Sequence, residues 1–402
     1  MLLDSEVTQI PFFDLRRQFA RLRADLLAEL AAVCDEQSFV LGPRVQAFEN
    51  EVKAVTGASH AFGVSSGTDA ELLILMGLGV GPGDAVITTP FSFFSTAGCI
   101  ARLGARPIFV DIDPRTLNLS ADALENFLAC RCILTSRGLM TDGGMRVRAV
   151  IPVHLFGLCA DLDRLQDLCD RYGIALIEDA AQAIGAVYPA RSGPQRAGSV
   201  GAAGFYSFYP TKNLGGFGDA GLAVTSDDEL AARLRVGRNH GMEPRYYHRM
   251  IGGNFRMDAL QAAVLSRKLR DLEGWSTRRW QIAQHYRDVL APVEGRFLQL
   301  PVEPYRDKLG SCGHTYHQFV IRSPKRDALR AFLAGRGIGT EIYYPVALHQ
   351  QPCFIGLGYQ PGDLPVAEQA ASEVLALPIF PELTEEEVEC VARTVRSFFS
   401  DL

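Results

Sequence analysis

Short apolar runs alternate with helical segments through the first half of the chain, and this pattern limits the possible folds more than any other feature. The runs have the length of a buried strand and cover residues 61–64, 85–89, 107–111, 149–153 and 174–177. Buried apolar strands joined by helices are typical of parallel sheets with right-handed crossovers. The pattern therefore predicts a doubly wound α/β domain.

One lysine stands in unusual surroundings at residues 204–221, which read GFYSFYPTKNLGGFGDAG. Lys212 is the only cation there, between an aromatic run and a cluster of glycines. Such surroundings predict a desolvated amine with a lowered pKa, which can attack aldehydes and ketones to form a Schiff base. Pro210 and Thr211 predict that this amine lies on a turn. An ordinary loop lysine remains the alternative.

A carboxylate at the end of a predicted strand adds to this interpretation. The apolar run 174–177 ends in Glu178 and Asp179, and open α/β sheets carry their chemistry at the carboxyl ends of strands. A carboxylate buried there needs a cationic partner. The ring nitrogen of pyridoxal phosphate (PLP), a cofactor held by a lysine Schiff base and an aspartate, is one such partner. Gln182 is placed to donate a hydrogen bond to the phenolic oxygen of the ring.

The two segments together resemble a known family. EDAAQAIGA, followed by SFYPTKNLGGFGDAG with the lysine 33 residues after the aspartate, is similar to the DegT/StrS family of PLP-dependent sugar aminotransferases. Similar stretches extend from residues 10–15 to residues 376–381. The resemblance implies an aspartate aminotransferase-like α/β fold, with a three-layer large domain and a mostly parallel sheet at 10–273. A smaller α/β domain would follow at 274–402, and the N-terminal helix could pack on it.

A turn between strand 61–64 and the next helix is predicted to bind an anion, because helix N-termini present free N–H groups and a positive dipole end. A simple N-cap by Ser66 or Thr68 is the alternative. The resemblance implies cofactor contacts from several segments: phosphate contacts by Gly67, Thr68 and Ser207, ring stacking by Phe93, and a phosphate contact across a dimer interface by Asn254.

The resemblance also implies a reaction. The expected function is transamination of a UDP- or dTDP-linked 3-keto or 4-keto hexose or uronate by L-glutamate, which leaves as 2-oxoglutarate, in amino-sugar and surface polysaccharide biosynthesis. Arg256 and Tyr344 match substrate positions, and a homodimer with active sites completed in trans is expected. A cyclitol ketone as substrate, or a non-catalytic regulator of the same fold, remain alternatives. Related sugar dehydratases carry histidine in place of the lysine, so Lys212 argues against them.

Bulk properties exclude several classes of function. The net charge is −6 and no basic face is apparent, which argues against nucleic-acid binding. Nine cysteines without a CxxC spacing predict reduced thiols. No apolar run approaches the ~20 residues that span a bilayer, and Asp4 and Glu6 stand where a signal peptide would be basic. A cytoplasmic location is expected.

Two further expectations concern local structure. Residues 189–203 are rich in Gly, Arg, Ser and Pro and predict a surface loop. His314 and His317 flank Tyr316 on a predicted strand at 316–321, which makes a metal site there improbable. We therefore expect no metal.

Overall fold

The computed structural model describes residues 9–400 of the chain, so the acids at Asp4 and Glu6 lie outside the described residues. The helices are α1 Leu15–Glu36, α2 Pro43–Thr56, α3 Gly67–Gly77, α4 Ser95–Arg102, α5 Ala121–Arg131, α6 Leu162–Tyr172, α7 Asp228–Gly237, α8 Ala259–Leu269, α9 Leu272–Leu290, α10 Arg306–Leu309, α11 Arg326–Ala334, α12 Pro365–Glu373 and α13 Glu385–Ser400.

The strands are β1 His60–Val64, β2 Asp84–Thr88, β3 Arg106–Phe109, β4 Cys132–Thr135, β5 Gly138–Thr141, β6 Arg146–Ile151, β7 Ala175–Asp179, β8 Val187–Ala190, β9 Gly193–Arg196, β10 Ala203–Ser207, β11 Gly221–Thr225, β12 Phe319–Arg322 and β13 Val374–Leu377. Within residues 9–400, no helix combines the length and apolar character needed to cross a bilayer.

The central sheet has the strand order β1-β11-β10-β7-β6-β2-β3. The pairs β10/β7, β7/β6, β6/β2 and β2/β3 are parallel, and β11 runs antiparallel to both β1 and β10. The hairpin β4/β5 extends the sheet through an antiparallel bridge to β6. The predicted mostly parallel α/β sheet is therefore confirmed.

Alternate residues of the central strands point to two separate cores. In β2, Val86 belongs to the same core as Leu72 of α3 and Ile100 of α4, whereas its neighbour Ile87 belongs to the core that contains Phe48 of α2. Both strand residues are fully buried. Because successive side chains of a strand point to opposite faces, a strand apolar at every position needs helices on both sides. The result is the predicted three-layer domain.

A further core forms in the second part of the chain, around Tyr286 of α9, Phe319 of β12 and Val391 of α13. Helix α9 begins at Leu272 and so runs through the predicted boundary between residues 273 and 274. The division into two domains at that point stays a prediction.

The N-terminal helix α1 contacts elements from both parts of the chain. Arg17, near its start, pairs with Glu387 of α13 at 2.6 Å. Further along, Leu22 and Leu26 pack on Val264 of α8. Helix α1 therefore joins the large sheet domain to the C-terminal helix.

Two local expectations were wrong. Residues 189–203 do not form a plain loop, because β8 and β9 pair as a hairpin in which Tyr188 lies opposite Gln195. The predicted strand at 316–321 begins only at Phe319, and Tyr316 has a positive φ of 43°. Both errors concern residues whose conformation is set by contacts distant in sequence rather than by local periodicity.

Candidate active site

Several of the predicted site residues lie at the carboxyl ends of the parallel strands, on one side of the sheet. Asp179 ends β7 and Ser207 ends β10, and the turn after β1 leads into α3 at Gly67. Gly221, at the start of β11, lies opposite both Val64 and Ser207 in the sheet register. The strand order therefore brings together segments that are far apart in sequence, at the edge where such sheets bind ligands.

The turn before α3 has the geometry of an anion site. Ser66 is the N-cap, and its hydroxyl accepts a hydrogen bond from the Asp69 N–H at 3.0 Å. A Cβ at Gly67 would come within 2.7 Å of the Ser207 Cβ, so only glycine lets α3 approach β10 this closely. The N–H groups of Gly67 and Thr68, in the first turn, have no acceptor within the helix. Ser66 leaves these donors free, so the N-cap is compatible with the predicted anion site.

Gly221 packs against the backbone of this turn, so a side chain at this position would destabilise the fold. A Cβ at Gly221 would overlap the carbonyl group of Ser66. We expect Gly221→Ala to lower the free energy of unfolding by about 1–3 kcal/mol and to weaken PLP binding, as measured by denaturant titration and cofactor titration. Gly274→Ala is the matched control, because nothing lies within 4 Å of its Cβ and it sits in helix α9. An equal loss in both variants would contradict the steric argument.

Asp179 is nearly fully buried, with both carboxylate oxygens held in place. One accepts a hydrogen bond from the Ala181 N–H at 3.1 Å, and the other accepts one from the Thr96 hydroxyl at 2.9 Å. Burial raises the pKa of Asp179, although these two hydrogen bonds and the charge of Lys212 oppose that rise. A carboxylate held in this way is suited to pair with a cation such as a protonated ring nitrogen.

Lys212 lies on the predicted turn, where its N–H donates to the carbonyl of Tyr209 at 2.8 Å. Its side chain keeps some exposed surface, but the surrounding protein is dense enough that burial lowers the pKa to about 8, with the charge of Asp179 opposing the shift. Since each charge acts on the pKa of the other group, Lys212 and Asp179 lie within electrostatic range of each other. The prediction of a desolvated amine agrees with this environment.

The lowered pKa can be tested directly on the protein without cofactor. The Lys212 amine should react with an aldehyde and a hydride reductant with a midpoint near pH 8, because it is protonated and unreactive below that value. Exposed lysines should react with a pH midpoint of about 10.4. Site-resolved peptide mass spectrometry across a pH series separates the two classes. A Lys212 midpoint equal to that of the exposed lysines would contradict the burial argument.

Gln182 and Tyr344 form one wall of the site. The Gln182 Oε1 accepts a hydrogen bond from the Phe156 N–H at 2.6 Å, which fixes the amide so that Nε2 donates to the Tyr344 hydroxyl at 3.1 Å. An amide nitrogen has a second hydrogen, which remains to donate to a ligand. The Phe93 ring lies 6.5 Å from the Tyr344 ring and is 60% exposed, so its face is open for stacking.

Asn254 and Arg256 lie on the segment that leads into α8. The backbone of Arg256 bridges to Val64 at the end of β1, and its guanidinium donates to the Asn239 side chain at 2.7 Å. Asn254 is exposed and its backbone bridges to Asn239. Among the described residues, no hydrogen bond or ring contact joins Asn254 or Arg256 to Lys212, Asp179 or Gln182.

Several residues around the site were not foreseen. Thr96 bonds Asp179, and Ser95 bonds Thr68 at 3.1 Å. Glu71 is a fully buried acid in an otherwise apolar stretch of α3, a pattern that could have drawn attention to it. Burial lowers the pKa of His317, and the charge of the nearby Lys212 lowers it further.

Two histidines have structural contacts. His154 is fully buried, with Nε2 2.9 Å from Glu178 Oε2 and Nδ1 accepting from the Ala160 N–H. His317 Nδ1 lies 3.1 Å from Asn213 Oδ1, beside the lysine turn. In the described part of the chain, no group of three His, Cys, Asp or Glu side chains could hold a metal ion.

The site fits PLP, with a reactive amine, a buried carboxylate, an open aromatic face and an anion-binding turn. Residues 20–396 match the model of the DegT/DnrJ/EryC1/StrS aminotransferase family. The chain belongs to this family. The predicted PLP-dependent aminotransferase is thereby confirmed.

Three relatives illustrate the similarity. The chain is 43% identical to the pleiotropic regulatory protein of Geobacillus stearothermophilus, over 97% of this chain and 98% of the relative. It is 39% identical to the UDP-N-acetyl-3-dehydro-alpha-D-glucosamine 3-aminotransferase of Acidithiobacillus ferrooxidans, with the same coverage. The crystal structure of NtdA from Bacillus subtilis, with bound cofactor PMP, superposes with a TM-score of 0.86 at 28% identity, covering 99% of this chain and 86% of NtdA.

Proposed function

We propose that this aminotransferase moves an amino group from L-glutamate to the ketone of a sugar nucleotide. One observation carries the proposal: the turn of Lys212 follows β10, which pairs in parallel with β7, so the lysine and the buried, hydrogen-bonded Asp179 lie at the same end of the sheet. That pair serves the chemistry of PLP, and the anion-binding turn beside it suits the cofactor phosphate.

Each residue of the site has a separate task in holding the cofactor. Gly67, Thr68 and Ser207 bind its phosphate, and Asp179 keeps its ring nitrogen protonated. Two further side chains contact the ring: Phe93 stacks on its face, and Gln182 donates a hydrogen bond to its phenolic oxygen. Bound PLP supplies an electron sink for a carbanion at the substrate carbon.

Lys212 moves the protons of the reaction. With a pKa near 8, a sizeable fraction of its amine is neutral at physiological pH and can accept the proton from Cα of glutamate. Lys212 Nζ then gives a proton back during formation of 2-oxoglutarate. In the second half of the cycle the same nitrogen handles the proton at the sugar carbon, so that the ketone becomes a primary amine.

Arg256 and Tyr344 are the proposed substrate residues. Arg256 lies beside the end of β1, next to the anion-binding turn, where its guanidinium suits a phosphate or a uronate carboxylate. The relative from Acidithiobacillus, named for a 3-dehydro sugar linked to UDP, supports a 3-keto sugar nucleotide as the first substrate to test. The Tyr344 hydroxyl accepts a hydrogen bond from Gln182, and the Tyr344 ring lies beside the ring of Phe93.

A homodimer with active sites completed in trans is the proposed assembly. Asn254 is exposed on the loop before α8, and the same loop carries Ile251 at 90% exposure. Val40, which bridges to Asp258 at the end of that loop, is 55% exposed. Exposed apolar side chains around a polar residue are typical of an interface, and a twofold dimer would set Asn254 against the cofactor phosphate of the other subunit.

Subunit complementation tests this assembly. We expect Lys212→Ala and Asn254→Asp chains to be nearly inactive alone at limiting PLP, since the first lacks the amine and the second sets a carboxylate against the phosphate. Mixed dimers would contain one intact site, so co-expression should restore about a quarter of wild-type activity. Absence of recovery in dimers verified by mass would exclude completion in trans.

Half-reactions identify the substrates. The PLP form is treated with L-glutamate, L-glutamine, L-aspartate or L-alanine, and conversion to the amino form is followed by absorbance. The amino form is then offered UDP- and dTDP-linked 3-keto and 4-keto sugars, including a uronate, and free cyclitol ketones. We expect L-glutamate and a 3-keto sugar nucleotide to react fastest, and Lys212→Ala to be silent.

Two results would contradict this proposal and favour another function. Reaction with free cyclitol ketones only would indicate a cyclitol aminotransferase. A colourless protein that binds DNA specifically would favour a regulator, the class for which the Geobacillus relative is named.

A further inference from the structure

A buried acid lies behind the anion-binding turn and has no part in the reaction described above. Glu71 of α3 is 0% exposed, and its Oε1 has no hydrogen-bond partner within the described structure. Its Oε2 lies 3.1 Å from the Ser95 hydroxyl oxygen. A buried acid with a single hydroxyl contact and no cation to pair with requires an explanation, because burying a charge without a partner is costly.

The contacts of Ser95 connect this acid to the turn. The Ser95 oxygen is 3.1 Å from Glu71 Oε2 on one side and 3.1 Å from Thr68 Oγ1 on the other. The three groups thus form a continuous chain of hydrogen bonds, from the buried carboxyl to the second residue of α3. Each hydroxyl has a single proton, and Cys99 Sγ, 3.7 Å from the Ser95 oxygen, is only a weak acceptor. A hydrogen bond donated by Glu71 therefore leaves the Ser95 proton for Thr68.

We propose that Glu71 is a positioning residue whose proton, given as a hydrogen bond to Ser95, directs the Thr68 hydroxyl outward to bind the cofactor phosphate. This rests on the proposed role of Thr68. When Glu71 donates to Ser95, Ser95 donates to Thr68, and the Thr68 proton faces the phosphate. An ionised Glu71 would instead accept from Ser95, which would draw the Thr68 proton inward and turn its lone pairs toward an anion.

The surroundings of Glu71 favour its protonated form. Burial and the charge of Asp179 on β7 raise the pKa of Glu71, and the nearby Cys99 and Ser95 side chains of α4, which would stabilise an ionised carboxylate, oppose this rise. Among residues 9–400, Asp179 is the charged group that raises the pKa of Glu71, and His60 at the start of β1 pairs with the exposed Asp228 instead. Strand β11 has no titratable residue, Tyr206 of β10 packs on the other face of the sheet, and the acids and arginines of α7 are exposed. Burial without a cationic partner therefore favours the neutral acid that the relay requires.

Substitution at Glu71 separates this role from a merely structural one. In cofactor-free protein, Glu71→Leu should bind PLP about tenfold more weakly than wild type, because Thr68 loses its orientation, whereas pyridoxal without phosphate should bind equally well. Glu71→Gln should stay within about twofold of wild type, because the amide N–H replaces the acid proton. Affinities are read from cofactor absorbance and from competition by inorganic phosphate.

A pH series adds a readout that loss of packing would not change. As the pH rises through the pKa of Glu71, the PLP-to-pyridoxal affinity ratio of wild type should fall relative to that of Glu71→Gln, whose amide cannot ionise. If Glu71→Leu fails to fold, Ser95→Ala breaks the same chain of hydrogen bonds at its centre and should show the same phosphate-selective loss.

The outcomes are distinguishable. Equal weakening toward PLP and pyridoxal, or a Glu71→Gln variant as weak as Glu71→Leu, would overturn the relay. A wild-type protein that binds pyridoxal as tightly as PLP would instead contradict the proposed phosphate contacts of Gly67 and Thr68.

Discussion

Replacing Lys212 by alanine is expected to lower turnover by at least about 10⁴-fold, because one side chain supplies both the covalent link to the cofactor and the group that moves the proton. The visible absorption of lysine-linked PLP should disappear in the same variant. Steady-state transamination and the absorption spectrum of the loaded protein check the two effects. The fold should persist, since the variant removes an amine whose burial in the charged form is unfavourable below pH 8.

Lys268 provides a matched control for this substitution. It is 2% exposed and burial lowers its pKa to about 8, as for Lys212. Its amine, however, donates to the carbonyl of Gly215 at 2.7 Å. Lys268→Met should therefore cost about 1–3 kcal/mol of stability, through the unsatisfied carbonyl, and retain the PLP absorption. Near-normal turnover by Lys212→Ala, or loss of the absorption band in Lys268→Met alone, would contradict the assignment of Lys212.

Asp179→Asn has the second-largest expected effect, a loss of about 10²–10³-fold in turnover, because a neutral amide cannot stabilise a protonated ring nitrogen. The geometry of the carboxylate should survive in the amide, since Thr96 and the Ala181 N–H hold that side chain from two directions. The loss should therefore appear in kcat more than in cofactor affinity. Single-turnover rates of the half-reaction with glutamate measure it.

Asp179→Asn should lower turnover but raise the stability of the cofactor-free protein. Burial raises the pKa of Asp179 in the folded, cofactor-free protein, so the folded state binds more protons than the unfolded state between the ordinary pKa of an aspartate and the raised value. Stability is consequently lost as the pH rises through that window. At neutral pH, Asp179→Asn removes this penalty, and the melting temperature of the cofactor-free variant should be higher than that of wild type.

Thr96→Val is the control for Asp179, because it removes one hydrogen bond and leaves the charge. We expect at most about a tenfold fall in turnover from it. A Thr96→Val variant as impaired as Asp179→Asn would show that placement of the carboxylate, rather than its charge, dominates. A cofactor-free Asp179→Asn that melts below wild type would contradict the burial argument.

Much of the fold and the two central site residues could be predicted from the chain alone. The order of strands and helices follows from local apolar periodicity, and Lys212 and Asp179 stand out because a lone cation among aromatic residues and an acid at a strand end are local patterns. Their identity as a pair came from the motifs shared with a known family. The structure confirms the mostly parallel sheet, and the roles of Lys212 and Asp179 stay a prediction.

The partners of these residues could not be predicted, because they come from segments distant in sequence. Nothing local to Thr96 indicates a bond to Asp179, which lies 83 residues later. Glu71 is a single acid in an apolar helix, and only the packing of α4 against α3 sets Ser95 between it and Thr68. The hairpins β4/β5 and β8/β9 were not predicted for the same reason. Their short strands are stabilised by pairing with each other and show no clear periodicity in the sequence.

The sequence by itself determined the alternation of elements, the lysine turn and the acid at the end of β7, because each of these depends on neighbouring residues. Only the tertiary structure decided the strand order, which sets Ser207 and Gly221 beside the turn after β1, and the burial that shifts the pKa values of Lys212 and Asp179. The physical reason is that desolvation and hydrogen bonding act across space, between atoms that the folded chain brings together.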